Sequence, residues 1–465
     1  VSLDIIIRGG TVVSGAGLSR ADVGIVGESV ATVGDLSAQT AKRTIDATDL
    51  LVLPGVVDEH VHPVYLDDPA YISEVALYGG VTTMMHFAYA HPGESLLERV
   101  EDLRARSTRG AVDFTIHATM FDPANQISEL PAVAATGVRT FKVFRAYQAQ
   151  GWMTDDSNFV RVLRAVRDVD GLLLVHCENG SAIDLLEQDA AAGRLGDDPV
   201  LVVGRTRPPG LEAESVASTI ALAAEFDTPL LVVHITSEHA LEAFAYARRR
   251  SSGVIGETCP QYLLLTADAM REFGGLAKIG PPLRTARDCE ALWEGIASGT
   301  IQTIGSDHVP KKTPADRDIP LLEAGFGAPS IETSLAVIYD AGVASGRISI
   351  ERLVQIMSEN PAKVFGLYPR KGAIRTGSDA DMILWNPAAR RRLGAASEHT
   401  RAGYSLYEGR EVSGAPTAVI SRGQVVVEDN QLVGEHHRGR FLATGPFDMR
   451  AGRPADAAPA GGPRG

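Results

Sequence analysis

The chain has 465 residues, 45% of them hydrophobic and 22% charged, and a formal net charge of −14. That balance excludes wholesale disorder, and the acidic surplus argues against binding to nucleic acid or to an anionic membrane surface. No apolar run approaches the roughly 20 residues of a bilayer span, and residues 1–8 carry Asp4 and no basic run, so neither an anchor nor a secretory leader is expected.

Residues 1–51 read as short strands at 4–8, 11–13, 23–26 and 30–33, broken by glycine turns. From 52 to 370, strand and helix patterns alternate. Strand candidates lie at 56–62, 82–87, 113–119, 140–144, 172–177, 230–235, 254–258 and 301–306. The clearest helices are 95–107, 158–168, 212–226 and 239–250; in 212–226, Val216, Ile220, Ala223 and Ala224 recur at helical spacing. This alternation predicts a parallel sheet with crossover helices, and eight units predict a (β/α)8 TIM-like barrel with its site at the C-terminal strand ends. A doubly wound open sheet is the alternative, but the Gly-rich turn after a first strand is absent. Strand texture returns within 371–445, at 380–385, 418–421 and 424–428. The two β-rich ends are therefore expected to build one small composite β-sandwich domain. Residues 446–465, rich in Ala, Gly, Pro and Arg, are expected to be a disordered tail. Cys177, Cys259 and Cys289 are too few and scattered for a disulfide framework; they read as reduced thiols of a cytoplasmic protein.

The chemistry concentrates at strand ends. In Asp58-Glu59-His60-Val61-His62 the two histidines are two apart, so a strand projects them to one face. They are either two ligands of one metal or two histidines on a solvated strand end. His176, His234 and Asp307 each stand where an apolar run gives way to a loop. A single such histidine is usually a hydrogen-bonded core residue, but four with an aspartate at strand ends of one barrel suit a divalent ion such as Zn2+. Lys142 lies inside the apolar strand 140–144, where an unpaired charge is costly. It forms an ion pair, extends a snorkelling stem, or is modified: a neutral lysine amine takes up CO2 to give a carboxylate-like carbamate.

These segments run in the order of the cyclic amidohydrolases. They include Pro54-Gly55-Val56-Val57-Asp58-Glu59-His60-Val61-His62, Phe141-Lys142-Val143-Phe144-Arg145-Ala146-Tyr147, Val175-His176-Cys177-Glu178-Asn179-Gly180, Glu257-Thr258-Cys259-Pro260-Gln261-Tyr262, Gly305-Ser306-Asp307-His308 and Asn360-Pro361-Ala362-Lys363-Val364-Phe365-Gly366. The chain resembles the amidohydrolase superfamily, and most of all its dihydropyrimidinase/hydantoinase branch. The resemblance implies a metal-dependent hydrolase that opens a cyclic amide ring, such as a hydantoin, dihydropyrimidine or related imide or ureide, to an N-carbamoyl amino acid type of product. It implies two divalent metals, usually zinc, one held by His60, His62 and Asp307 and the other by His176 and His234, bridged by N6-carboxylated Lys142. Asp307 would carry the proton and Tyr147 would stabilise the oxyanion. Segment 407–441 resembles the part that supports subunit contacts, implying a homo-oligomer, a tetramer or dimer.

Some positions depart from the branch. Gly280 stands where a serine is usual, and Pro329 stands where an asparagine is frequent and removes one main-chain donor. Proline-containing versions occur in allantoinases, so allantoin is the rival substrate. His86 replaces a frequent aspartate and is either a site residue or a core histidine. Arg145 binds a substrate carboxylate or pairs with a barrel helix. Tyr65 and Trp152 are the large side chains available to line the mouth. Val64 stands where dihydroorotases carry arginine, which argues against dihydroorotate. A non-catalytic scaffold of the same fold is the alternative from another class; the complete ligand set argues against it.

Overall fold

The computed structural model describes residues 2–63, 65–251, 253–435 and 437–452. Eight parallel strands form one sheet in chain order: Val56–Val61, Val81–Ala90, Asp113–Met120, Thr140–Phe144, Leu172–His176, Leu230–Val232, Val254–Thr258 and Thr303–Ile304. The sheet closes into a barrel where Val61 bridges His308 and the His62 N–H donates to the His308 carbonyl at 3.1 Å. The expected strands 230–235 and 301–306 are shorter than predicted, at Leu230–Val232 and Thr303–Ile304. His234 and Asp307 both take positive φ, 39° and 50°, and this left-handed backbone ends the ladder.

Strand alternation divides the apolar residues into two layers. Val57, Met85, Phe87, Leu172, Leu174, Leu231, Val233 and Ile255 point inward and plug the barrel. Their neighbours Phe141, Val143, Leu173, Val175, Leu230 and Val232 point outward and meet the helices. The helices include Leu96–Ser107, Asp156–Asp168, Pro209–Glu225 and Glu238–Arg248. Asp155 caps Asp156–Asp168, accepting from Asn158 N–H, and Ser237 caps Glu238–Arg248. Each fully buried Leu or Phe in these layers contributes about 1.5–3 kcal/mol relative to exposure.

The composite sandwich is present. One sheet orders Ser29–Gly34, Asp22–Val26, Leu3–Arg8 and Ala41–Asp46. The other holds seven strands and inserts Leu51–Pro54 between Met382–Arg392 and Thr11–Ser14. Ile5, Ile7, Val23 and Ile25 of the first sheet pack on Val52, Met382, Leu384 and Ile420 of the second. The strands Gly17–Arg20, Ala41–Asp46 and Leu51–Pro54 were not expected; the first two are mostly exposed and lack alternating apolar residues. Lys371 joins the units, its Nζ 2.7 Å from both Asp113 and Asp381.

The tail expectation needs correction at its near end. From Pro446 the chain runs under the barrel floor, where Ala451 is buried and Phe447 and Met449 pack beside Phe365 and Leu442. The apolar residues spaced among the small ones supply that packing. Residues 453–465 lie outside the described residues, as does Val64.

Candidate active site

A cavity of about 480 Å³ opens at the C-terminal ends of the strands. His60, His62, Lys142, His176, His234 and Asp307 all line it, with Tyr65, Tyr147, Trp152 and Gly280 around them. One ligand atom each from His60, His62 and Asp307 lies within 4.8 Å of the others. Asp307 Oδ1 is 3.1 Å from His62 Nε2 and 3.3 Å from His60 Nε2. The His176 and His234 rings stand 4.5 Å apart, centre to centre, and the His60 ring is 5.6 Å from that of His234.

Local backbone turns these groups inward. Lys142 alternates with Phe141 and Val143 on a paired strand, so its side chain enters the barrel. Tyr147, like His234 and Asp307, has positive φ, 65°. Such conformations persist where surrounding structure holds them, and they gather at functional sites. Gly305 must be small: a Cβ there would lie 2.6 Å from His60 Cβ.

Electrostatics fits the donor set to a metal. Burial depresses His60 and His234 well below the usual imidazole range, and depresses His176 although Glu178 opposes it. All three rings are therefore neutral at pH 7, with a lone pair to offer. Burial raises Asp307, but His60 and then His62 outweigh it, so the carboxyl stays ionised. Burial lowers Lys142 to about 8. Its ammonium has no ion-pair partner among the described residues and faces the rings of Phe87 and Phe144 at 5.4 and 5.2 Å. Burial also raises Tyr147, so its hydroxyl remains a donor.

Several contributing residues were not singled out from the sequence. Glu257 Oε1 is 2.7 Å from His60 Nδ1 and accepts from the His234 N–H at 3.1 Å. The Tyr89 hydroxyl lies 2.5 Å from His62 Nδ1. Glu178 Oε2 lies 2.7 Å from His176 Nε2 and 2.7 Å from Arg207 Nη1. Glu257, Tyr89 and Glu178 thus each fix one ring nitrogen, of His60, His62 and His176 in turn, and leave the other for a ligand, the outer support that metal-binding histidines require. Strand spacing was the available signal, since Glu178 follows His176 by two and Tyr89 extends its strand.

Three expected contacts fall elsewhere. Arg145 ion-pairs with Asp156, the first residue of a barrel helix, and donates to the Thr154 carbonyl at 2.7 Å, so it faces away from the cavity. Pro329 is buried and outside the lining; Phe326 and Gly327 of its segment reach the cavity instead. His86 points to the outer layer, its ring 6.0 Å from that of Phe114, and burial lowers it to about 3. Gly280 does face the site: a Cβ there would lie 3.0 Å from the Tyr147 hydroxyl and from Phe326 Cδ1.

A barrel whose strand ends gather histidines and an aspartate is the architecture of metal-dependent hydrolases. The chain belongs to the amidohydrolase family, which it matches over residues 51–426. Among curated relatives, D-hydantoinase from Ralstonia pickettii is 36% identical, over 95% of this chain and 98% of its own length. L-hydantoinase from Paenarthrobacter aurescens is 32% identical, over 94% and 98%. The solved D-hydantoinase of Bacillus sp. AR9 superposes with a TM-score of 0.90 at 36% identity, covering 96% of this chain and 100% of that one. Dihydropyrimidinase from Brevibacillus agri NCHU1002 gives 0.89 at 34% identity, with 95% and 99% covered. The protein is thus a cyclic amidohydrolase of the hydantoinase–dihydropyrimidinase branch.

Proposed function

We propose that the enzyme opens hydantoin or dihydropyrimidine rings to N-carbamoyl amino acids, using two divalent metals, zinc by preference. The convergence of His60, His62 and Asp307 at one point of the cavity carries this reading. His176 and His234 would hold the second ion. Lys142 would serve both as a carbamate, its neutral Nζ adding to CO2 with loss of one proton; an unpaired, buried, depressed lysine supports that step. When bound, the metals supply Lewis acidity and a nucleophilic water at neutral pH.

The chain's own groups do the rest. Asp307 accepts the proton of the attacking water and returns it to the ring nitrogen as the C–N bond breaks. Tyr147 donates its O–H to the carbonyl oxygen as that atom gains charge. Asp307 is buried and Tyr147 half-buried, which limits access of bulk water to the exchange. His91, Phe121 and Phe144 form a stack along one wall, at 4.7 and 5.3 Å between ring centres, with Trp152 4.6 Å from Phe121. This wall supports a ring bearing an apolar or aromatic substituent, and it disfavours allantoin.

Turnover of metal-loaded enzyme on dihydrouracil, hydantoin, 5-substituted hydantoins, allantoin and cyclic imides tests the reading, with metal content measured on the same sample. About two metals per chain with hydantoin turnover is expected; metal-loaded protein inactive on every ring would overturn it. We further read the enzyme as a cytoplasmic homo-oligomer, a dimer or tetramer. Its three free cysteines suit a reducing compartment, and no helix of the described residues is long and apolar enough to cross a membrane. Sedimentation as a single 49.3 kDa species would remove the oligomer.

A further inference from the structure

Beside the reaction cavity lies a second chamber of about 740 Å³. Tyr147, Trp152, Lys311 and Phe326 line both, so the two adjoin at these side chains. The chamber's charges are unevenly committed. Arg207 is held by Glu178 and Glu187, at 2.7 and 3.0 Å. Glu323 sits on the exposed edge. Lys278 is only 6% exposed, yet no carboxylate of the described residues pairs with it. Its Nζ donates to the Leu322 carbonyl at 3.0 Å and faces the Phe326 ring at 4.8 Å. Burial and then Arg207 pull it down to about 8, so it remains mostly charged at neutral pH. An ammonium offers three donors, and one is used. Lys311 is exposed, also without an acidic partner, and stands 5.6 Å from the Tyr65 ring.

We propose that this chamber is an anion subsite, in which Lys278 and Lys311 receive a carboxylate carried by the ligand of the reaction cavity. The inference rests on the ring-opening reading. The carboxylate that hydrolysis creates forms at the attacked carbonyl, beside Asp307 and Tyr147, so the one that reaches the chamber is carried by the substituent on the ring. A buried ammonium with no carboxylate partner, in a chamber adjoining the cavity, suits it, because charge-assisted hydrogen bonds are stronger away from water. A purely structural role for Lys278, holding the loop at Leu322, needs the hydrogen bond but not the charge.

Lys278→Gln separates these, since the amide can still donate to Leu322. Binding of N-carbamoylglycine to metal-loaded wild type and variant is measured by calorimetry. In parallel, kcat/KM is compared for 5-(2-carboxyethyl)hydantoin and its neutral carbamoyl analogue. The subsite predicts a loss of about tenfold or more in the preference for the acidic ring, with N-carbamoylglycine affinity unchanged. Lys311→Gln, at an exposed position, is expected to move the same readout in the same direction and covers a poorly folding Lys278 variant. A preference for the acidic ring unchanged in both variants would overturn the subsite. Wild type that binds N-carbamoylglycine but opens no ring would instead strike the ring-opening reading alone.

Discussion

Arg207 and Glu178 form an ion pair, 2.7 Å apart, with side chains 3% and 1% exposed. Glu178 leans on His176 from one side while the Arg207 guanidinium lies 5.3 Å from the centre of the Tyr147 ring on the other. One buried cation thus braces both the His176 imidazole, through Glu178, and the Tyr147 ring. Removing one partner of such a pair leaves an uncompensated charge. Arg207→Met is expected to cost about 3–5 kcal/mol of stability in denaturant titrations. It is also expected to weaken metal binding by about 10–100-fold; unchanged metal affinity would reduce Arg207 to a packing residue.

The same pair sets an acid limit. Burial pushes Glu178 up, but Arg207 and then His176 outweigh it and hold the carboxyl at about 2, below the ordinary 4.5. A carboxyl held low contributes stability above its unfolded value and loses it as pH falls through that value toward about 2. The contribution is on the order of 3 kcal/mol. The gap in denaturation midpoint between wild type and Glu178→Gln is therefore expected to be full near pH 6 and to shrink below about 4.5. A gap independent of pH would refute the assignment.

Tyr147→Phe keeps the ring between Phe144 and Phe326 and removes one donor. Its kcat is expected to fall by about 10²–10³ with little change in KM. Equal loss in kcat and gain in KM would mean that the hydroxyl holds the ground state instead.

Lys142→Ala removes the strand lysine that lines the cavity beside the histidines and is expected to abolish turnover. Metal content is expected to drop with it, which inductively coupled plasma spectrometry reads directly. Retention of full metal content would sink the carbamate reading.

Gly305→Ala tests the geometry rather than the chemistry. The added Cβ meets His60 Cβ at 2.6 Å and Glu257 Cδ at 3.2 Å, and neither atom lies at a flexible tip. His60 has to shift. Metal affinity is expected to fall at least tenfold while the circular dichroism of the barrel persists; unaltered affinity would show that the site tolerates the move.

Much of the barrel and its ligand face was legible because both follow a period. Alternation by two puts His60 with His62 and Lys142 against its apolar neighbours, and helical spacing marked 212–226, most of the observed Pro209–Glu225. What escaped depends on partners far apart in sequence. Glu257 reaches His60 across 197 positions, and Arg207 reaches Glu178 across 29. No local pattern announces such pairs. Arg145 illustrates the reverse: its strand face was readable, but its choice of Asp156 over a ligand rested on where the next helix begins. Positive φ at Tyr147, His234 and Asp307 carries no glycine to betray it.

The strand Leu51–Pro54 pairs through Pro54 with Met382, and two residues later the chain enters the barrel at Val56. During synthesis this strand therefore waits, one edge unpaired, while all eight barrel strands emerge from the ribosome. Only then does its second neighbour exist. The barrel must acquire its shape, or a chaperone must shield that edge, before the sandwich can close. The small domain is begun before the barrel and cannot be completed until the barrel strands have been made.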